Sequence, residues 1–276
     1  MKEMNEEALE LLRRTLRAIQ PWPDQFVVVG GWAMQLYRYL EGADASVAVD
    51  HTKDVDIAVL TSSRFPPALS NQLASAGLVP IRSRSTQPPV TYFQARERGE
   101  HELAPEYVEF LVPQVGADDR STIEIAAGVG AQSLRYLDLS FEQVRTLSAS
   151  SVPFLRELGD MPIQVPSPAS YLLAKSLVYE KRKRDEKRDA DCAYLYWLAL
   201  VTRKLWPDIR RDLAQLRVPE KWRRRGYAQL RGLFEQQASE GVVRAVRSIA
   251  DPDHGPAMVH GVMRRFLEAI GVVEQS

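Results

Sequence analysis

Apolar residues at Met4, Ala8, Leu9, Leu12, Leu16 and Ile19 recur at helical spacing, with Glu6, Glu7, Arg13 and Arg14 between them. The spacing predicts an amphipathic first helix, stopped by Pro21-Trp22-Pro23. Phe26-Val27-Val28-Val29 is apolar at every position, the pattern of a strand covered on both faces. Gly30-Gly31 follows at once, and Trp32 to Leu40 reads as a helix. A second strand is predicted within Lys53 to Leu60, then a helix from about Pro67 to Ala76 that Gly77 ends. Further strands are predicted at Leu78–Ile81, Thr91–Ala95, Tyr107–Val112, Thr122–Ala126 and Ile163–Val165, and Arg96 to Pro105 is a charged loop. The first half is therefore a mixed fold organised by a sheet.

The pattern changes near residue 162. Pro162, Pro166 and Pro168 cluster there, and beyond them the periodicity is helical almost to the end. Ser167 is placed to cap a helix that begins at Pro168. Ala190, Ala193, Tyr194, Trp197, Leu198 and Val201 make one apolar helix face. The expected architecture is α/β (α+β): a mixed sheet flanked by helices over residues 1–161, then an all-helical domain over 162–276. Nine consecutive charged residues, Glu180 to Arg188, interrupt the helical half. They read either as an RNA-binding stretch or as a solvated helix face with pairs such as Glu180–Arg184.

Composition adds limits. A chain of 276 residues buries roughly 70–75 % of its unfolded surface and needs no covalent staple. Its one cysteine, Cys192, excludes an intrachain disulfide framework and a cysteine-based zinc site, so a reducing cytoplasm is the expected compartment. No apolar run is long enough to span a membrane, and the acidic, amphipathic start is not a secretory leader. The formal net charge is zero, from 36 basic and 36 acidic residues. That zero is a cancellation: residues 1–161 carry 15 basic and 22 acidic side chains, and residues 162–276 carry 21 and 14. Neutrality therefore does not exclude a local basic face for a polyanion.

Three features of the acidic half carry candidate chemistry. Gly30-Gly31 between a strand and a helix is either a simple turn or a phosphate cradle, in which the backbone comes close to a ligand and the helix N-terminus supplies amides. Asp54-Val55-Asp56 opens a strand. Period-two alternation points both aspartates to one face and Val55 and Ile57 to the core. Such a pair is either a solvated strand edge or a site for a cation, and hard carboxylate oxygens suit Mg²⁺ or Mn²⁺. Glu109 interrupts the apolar strand Tyr107-Val108-Glu109-Phe110-Leu111-Val112, where a lone buried carboxylate is costly. Glu124, in Thr122-Ile123-Glu124-Ile125, is the rival third carboxylate.

Taken together, Gly30-Gly31-Trp32-Ala33, Thr52-Lys53-Asp54-Val55-Asp56-Ile57 and Val108-Glu109-Phe110-Leu111-Val112-Pro113 resemble the nucleotidyltransferase superfamily related to DNA polymerase β. The likeness is to the bacterial branch with a Gly-Gly-x-Ala phosphate turn, which includes abortive-infection toxin-like enzymes. It covers roughly residues 25–200, through Gly128-Val129-Gly130-Ala131-Gln132 and Leu134-Arg135-Tyr136-Leu137 to Lys187-Arg188-Asp189-Ala190-Asp191. The resemblance implies transfer of a nucleoside monophosphate from an NTP to an acceptor hydroxyl. It implies Mg²⁺ or Mn²⁺ on Asp54, Asp56 and Glu109, and phosphate on the Gly30 and Gly31 amides. Lys175 and Lys187 match positions that reach the nucleotide in such relatives, and Asp191 matches a helix acid that orients a lysine. A tRNA or other RNA acceptor is favoured, with an antitoxin protein as a possible partner. The alternatives are a small-molecule acceptor, as in antibiotic-modifying relatives, and a catalytically silent nucleotide-binding regulator.

Two departures stand out. Asp50, followed by His51, occupies a position where relatives often carry arginine, and the turn is Gly-Gly where many superfamily members have Gly-Ser. Neither removes a proposed metal ligand. Lys221-Trp222-Arg223-Arg224-Arg225 with Tyr227 suits phosphate contact and base stacking, or else a tryptophan anchored in the core. Trp32 reads as packing, and Cys192 as buried and inert. His101, His254 and His260 share no spacing with other metal ligands.

Overall fold

The computed structural model describes residues 5–50, 52–60, 68–82, 90–98, 106–114 and 122–273. Met4, His51, Pro67, His101 and residues 99–105 of the charged loop, all used in the sequence reading, lie outside the described residues. The chain divides into two compact units, Met1–Gln35 with His51–Pro166 and Leu36–Asp50 with Ser167–Ser276.

The first unit runs α1 (Glu6–Ile19), β1 (Phe26–Val28), the start of α2 (Gly30–Tyr37), β2 (Val55–Val59), α3 (Ala68–Ser75), β3 (Leu78–Arg82), β4 (Thr91–Ala95), β5 (Val108–Pro113), β6 (Thr122–Ala126), β7 (Val129–Leu134), α4 (Leu139–Glu142), β8 (Val144–Ser148) and β9 (Pro162–Pro166). Seven strands form one mixed sheet in the order β1-β2-β5-β4-β3, with β7 joining β5 and β6 joining β7. The β2–β5 and β5–β7 pairings are parallel and the others antiparallel. Strands β8 and β9 form a separate antiparallel ladder.

Period-two alternation gives this sheet two distinct faces. On one, Val55, Ile57, Val59, Val108, Phe110 and Val112 are fully buried. Phe110 meets Phe26 and Phe93 edge-on, with ring centroids 6.1 and 5.8 Å apart. Leu16 and Ile19 of α1 close over Phe26 and Val28 on this side. Asn5 caps the start of α1, its side chain accepting from the Glu7 and Ala8 amides. The opposite face has a smaller apolar cluster of Val27, Val29, Ala58, Leu111 and Leu137. Toward the start of β2 and β5, that same face turns polar.

The second unit contains the end of α2 and residues 36–50, then α5 (Pro168–Tyr179), α6 (Asp185–Val201), α7 (Trp206–Gln215), α8 (Glu220–Phe234), α9 (Glu240–Ile249) and α10 (Pro256–Ala269). Ser167 caps α5 by accepting from the Ser170 amide, with Pro168 in the first turn. Helix α6 is the hub, packed against α5, α9 and α10. Tyr37 stacks edge-on against Tyr171, 5.4 Å between centroids, and the Asp44 amide bonds to the Val201 carbonyl.

The expected α/β class holds, with three local differences. Helix α2 begins two residues early, at Gly30 itself. Strands β7 and β8 were not predicted, because Val-Gly-Ala-Gln-Ser-Leu and Val-Arg-Thr-Leu-Ser lack clear alternation. The charged run is not one solvated helix face. Glu180 is the C-cap of α5, residues 181–184 form a turn, and α6 starts at Asp185. Its side chains and the adjoining Asp189 stitch the unit together: Glu180 pairs with Arg225, Arg182 with Asp191, and Asp185 and Asp189 with Arg244. No helix among the described residues is long and apolar enough to cross a membrane.

Candidate active site

The polar end of the sheet face is built by register. In the parallel β2–β5 pair, Asp56 stands opposite Glu109, and Glu109 stands opposite Tyr92 of β4. Adjacent strands are about 4.8 Å apart, so Asp56, Glu109 and Tyr92 form a row on one face. Glu109 is only 8 % exposed. Asp54 precedes β2, where the Thr52 hydroxyl donates to its Oδ1 at 2.6 Å. Tyr107, two residues before Glu109, shares its face and meets Tyr92 edge-on at 5.0 Å. The Tyr107 carbonyl accepts the Val55 amide at 2.8 Å, which locks the start of β5 to the start of β2.

The electrostatics report convergence. The Tyr107 phenol is held well above its ordinary pKa, first by burial and then by the charges of Asp54, Glu109 and Asp56. The Tyr92 phenol is raised by burial and by Glu109. Three carboxylates therefore act on one half-buried hydroxyl. Period-two alternation along the strand start puts Tyr107 on the face of Glu109, a placement that carries no charge signal in the sequence.

Gly30 closes the row from the β1 side. The Val29 amide bonds to the Asp56 carbonyl at 3.0 Å, which draws the start of α2 onto the carboxylate. Gly30 has φ +63°, and a Cβ added there would lie 2.1 Å from Asp56 Oδ2. Only glycine allows both that backbone conformation and that approach. Gly31 is buried in the first turn of α2, where helix amides have no intrahelical acceptor.

Glu124 is placed elsewhere. It is exposed on β6, which pairs only with β7 among the described residues, and its Oε1 accepts the Gly128 amide at 3.0 Å.

Among the described residues, no group of three His, Cys, Asp or Glu side chains is preassembled to hold a metal ion. The donor chemistry of the row nevertheless fits a hard divalent cation: carboxylate oxygens on neighbouring strands, with mutual repulsion that a cation relieves. The space that a Cβ on Gly30 would need is taken by the Asp56 carboxylate itself, so the glycine is what lets that carboxylate sit against the turn.

In the second unit, the Asp191 carboxylate is 2 % exposed and holds two cations. Lys175 Nζ is 2.5 Å from its Oδ1, and Arg182 Nε is 2.8 Å from its Oδ2. Burial pushes the Asp191 pKa up, but the charges and hydrogen bonds of Lys175 and Arg182 override it, leaving the carboxyl below its ordinary range. The Lys175 ammonium also lies over the rings of Tyr194 and Tyr171, at 4.9 and 5.5 Å. Lys187 is exposed in the first turn of α6.

Other candidates resolve into packing. Trp32 is 1 % exposed and lies against Phe154. Cys192 is buried, and its thiol is pushed up by burial and by the Asp191 charge. His254 packs on Trp197 and Tyr196, with Nδ1 2.8 Å from the Tyr196 hydroxyl. His260 Nε2 bonds to the Glu235 carbonyl.

A model of a nucleotidyltransferase family matches residues 7–216 of the chain. Comparison with curated proteins and with solved structures gives no significant match. The family match spans the whole carboxylate row, the glycine turn and the Asp191 cluster, and it covers most of the 276 residues. A match of that length establishes the family: the chain belongs to the nucleotidyltransferases, and the protein is a transferase.

Proposed function

We propose that the enzyme transfers a nucleoside monophosphate from an NTP to an acceptor hydroxyl in a divalent-metal-dependent reaction, with RNA, tRNA foremost, as the acceptor. The observation that carries this reading is the register that sets Asp56 beside Glu109 with Gly30 against the Asp56 carboxylate. Asp54, Asp56 and Glu109 would hold the cation, Mg²⁺ or Mn²⁺. Bound there, such a cation polarises phosphate oxygens and lowers the pKa of an attacking hydroxyl. The Gly30 and Gly31 amides, at the positive end of α2, take triphosphate oxygens. Thr52 fixes the Asp54 rotamer. The acceptor hydroxyl gives up its proton to solvent, its oxygen bonds to the α-phosphorus, the bond from that phosphorus to the bridging oxygen breaks, and pyrophosphate leaves. The resemblance extends the nucleotide-binding set to Lys175 and Lys187, with Asp191 holding the Lys175 ammonium. The likeness to toxin-like enzymes and the +7 charge of residues 162–276 favour a polyanionic acceptor, and a cognate antitoxin belongs to that reading.

The test is incubation with each labelled NTP, Mg²⁺ or Mn²⁺, and total tRNA. Label is expected in the RNA, dependent on the cation and lost in the Asp54→Ala plus Asp56→Ala variant. Transfer that survives both substitutions would remove the site assignment.

Gly30→Ala probes the turn separately. The new methyl drives Asp56 aside and forces alanine into a left-handed conformation that costs roughly 1–2 kcal/mol. Displacement of a reacting group by about 1 Å can cost on the order of 10²-fold, so transfer should fall by about that factor. Far-ultraviolet circular dichroism should be unchanged. Wild-type rates in Gly30→Ala would show that Asp56 need not sit where it does.

A further inference from the structure

We infer that the outer face of α8 is the surface on which the RNA acceptor docks, through a stripe formed by Lys221, Arg224 and Arg231. This inference rests on the RNA-acceptor reading above and adds the place of contact. The three residues stand at i, i+3 and i+10 of one helix, all on one face and all exposed. They span about 15 Å along the axis, room for more than one phosphate.

The surroundings keep this stripe cationic. Two of the nearby acids are taken by other arginines, Glu220 by Arg223 at 3.0 Å and Glu180 by Arg225, while Glu235, one turn beyond Arg231, is exposed at the end of the helix. Lys221 and Arg224 make no ion pair among the described residues. Arg231 Nη1 donates to the Val272 carbonyl, an uncharged acceptor that fixes the guanidinium and leaves its charge intact. Arg223 also donates to the Leu216 carbonyl, pinning the turn that carries the exposed Arg217 onto the start of α8. Tyr227 is half-buried at the edge of the stripe and can offer its ring to a base.

The alternatives fit less well. A helix that lies on a membrane needs an exposed apolar face beside its cations. The apolar face of α8, with Leu230, Leu233 and Phe234, is buried within its own unit, and the large exposed hydrophobics among the described residues are Leu60, Val243 and Met258, none of them on α8. Gly226 is pressed against Leu173 and Ser176 of α5, so α8 is held rigidly with its cations outward.

The test uses the full chain and the variant Lys221→Glu plus Arg224→Glu. Binding of fluorescent total tRNA is measured by anisotropy across a KCl series, with NTP binding and the thermal midpoint measured in parallel. Loss of two phosphate contacts should weaken binding by at least about tenfold and flatten the log–log salt dependence by about two. NTP binding and the thermal midpoint should not change. Undiminished tRNA binding in the variant would overturn the docking surface and leave the RNA-acceptor reading standing. No binding and no labelling of RNA by the unmodified enzyme would overturn both. Stripe-dependent binding to vesicles of phosphatidylglycerol and phosphatidylcholine, without tRNA binding, would overturn the surface in favour of a membrane. If the double reversal does not fold, Lys221→Gln plus Arg224→Gln gives the same comparison with the helix propensity kept.

Discussion

Asp56→Asn is expected to reduce nucleotidyl transfer by about 10³-fold or more while leaving the protein at least as stable as the unmodified chain. The two halves of this expectation have one cause. Asp56 stands opposite Glu109 in the β2–β5 register, so the apo site holds like charges on neighbouring strands. Asparagine keeps the shape and removes one charge, which relieves repulsion. The same charge is what a divalent cation would bind, and its contribution to stabilising transition-state charge is several kcal/mol. At tenfold per 1.36 kcal/mol, three orders of magnitude follow. Thermal melts with and without Mn²⁺ separate the effects. The cation should raise the midpoint of the unmodified protein by binding the native state, and should not raise that of Asp56→Asn. A variant that keeps its activity, or an unmodified protein whose melting ignores Mn²⁺ at every concentration, would contradict the assignment.

Asp191→Ala should have the largest effect on stability. Asp191 holds Lys175 and Arg182 from a site that is almost fully buried, and its removal leaves their charges without a counterion. Breaking a buried pair from one side costs about 3–5 kcal/mol. The urea midpoint should fall accordingly. Lys175→Met, which removes a cation and keeps the packing, should cost much less. The pH dependence has a definite sign. The folded Asp191 pKa lies below its ordinary value, so its stabilisation is complete above roughly pH 4 and is lost as the pH falls through the folded pKa. The stabilities of the variant and the unmodified protein should therefore converge in acid. A constant gap down to about pH 2 would show that the loss comes from packing alone.

Much of the site was legible because its chemistry follows period two. Val55 and Ile57 are fully buried while Asp56 takes the other face, and Glu109 interrupts an apolar strand at the one register position that meets Asp56. The choice between Glu109 and Glu124 was not legible, because both are single acids within strands. Strand order separates the two: β5 lies beside β2, whereas Glu124 is on the β6–β7 hairpin. The helix start with chemical punctuation at Ser167-Pro168 was readable. Strands β7 and β8 were not, since neighbouring chain, more than their own sequence, holds them. The fate of the 180–188 run depended on Asp191, Arg225 and Arg244, partners that no local window contains. Residues 36–50 pack on the helical unit through Tyr37 and Asp44, again by contacts distant in sequence.

The pairing of Asp56 with Glu109 joins positions separated by 53 residues of chain. Such non-local pairing must pay its loop-closure entropy before it is rewarded, so it forms late in folding. During synthesis, the glycine turn and the first two aspartates leave the ribosome well before β5 does. A nascent chain lacks the third carboxylate until β5 has emerged and found β2. The topology itself keeps Asp56 and Glu109 apart until the sheet is complete.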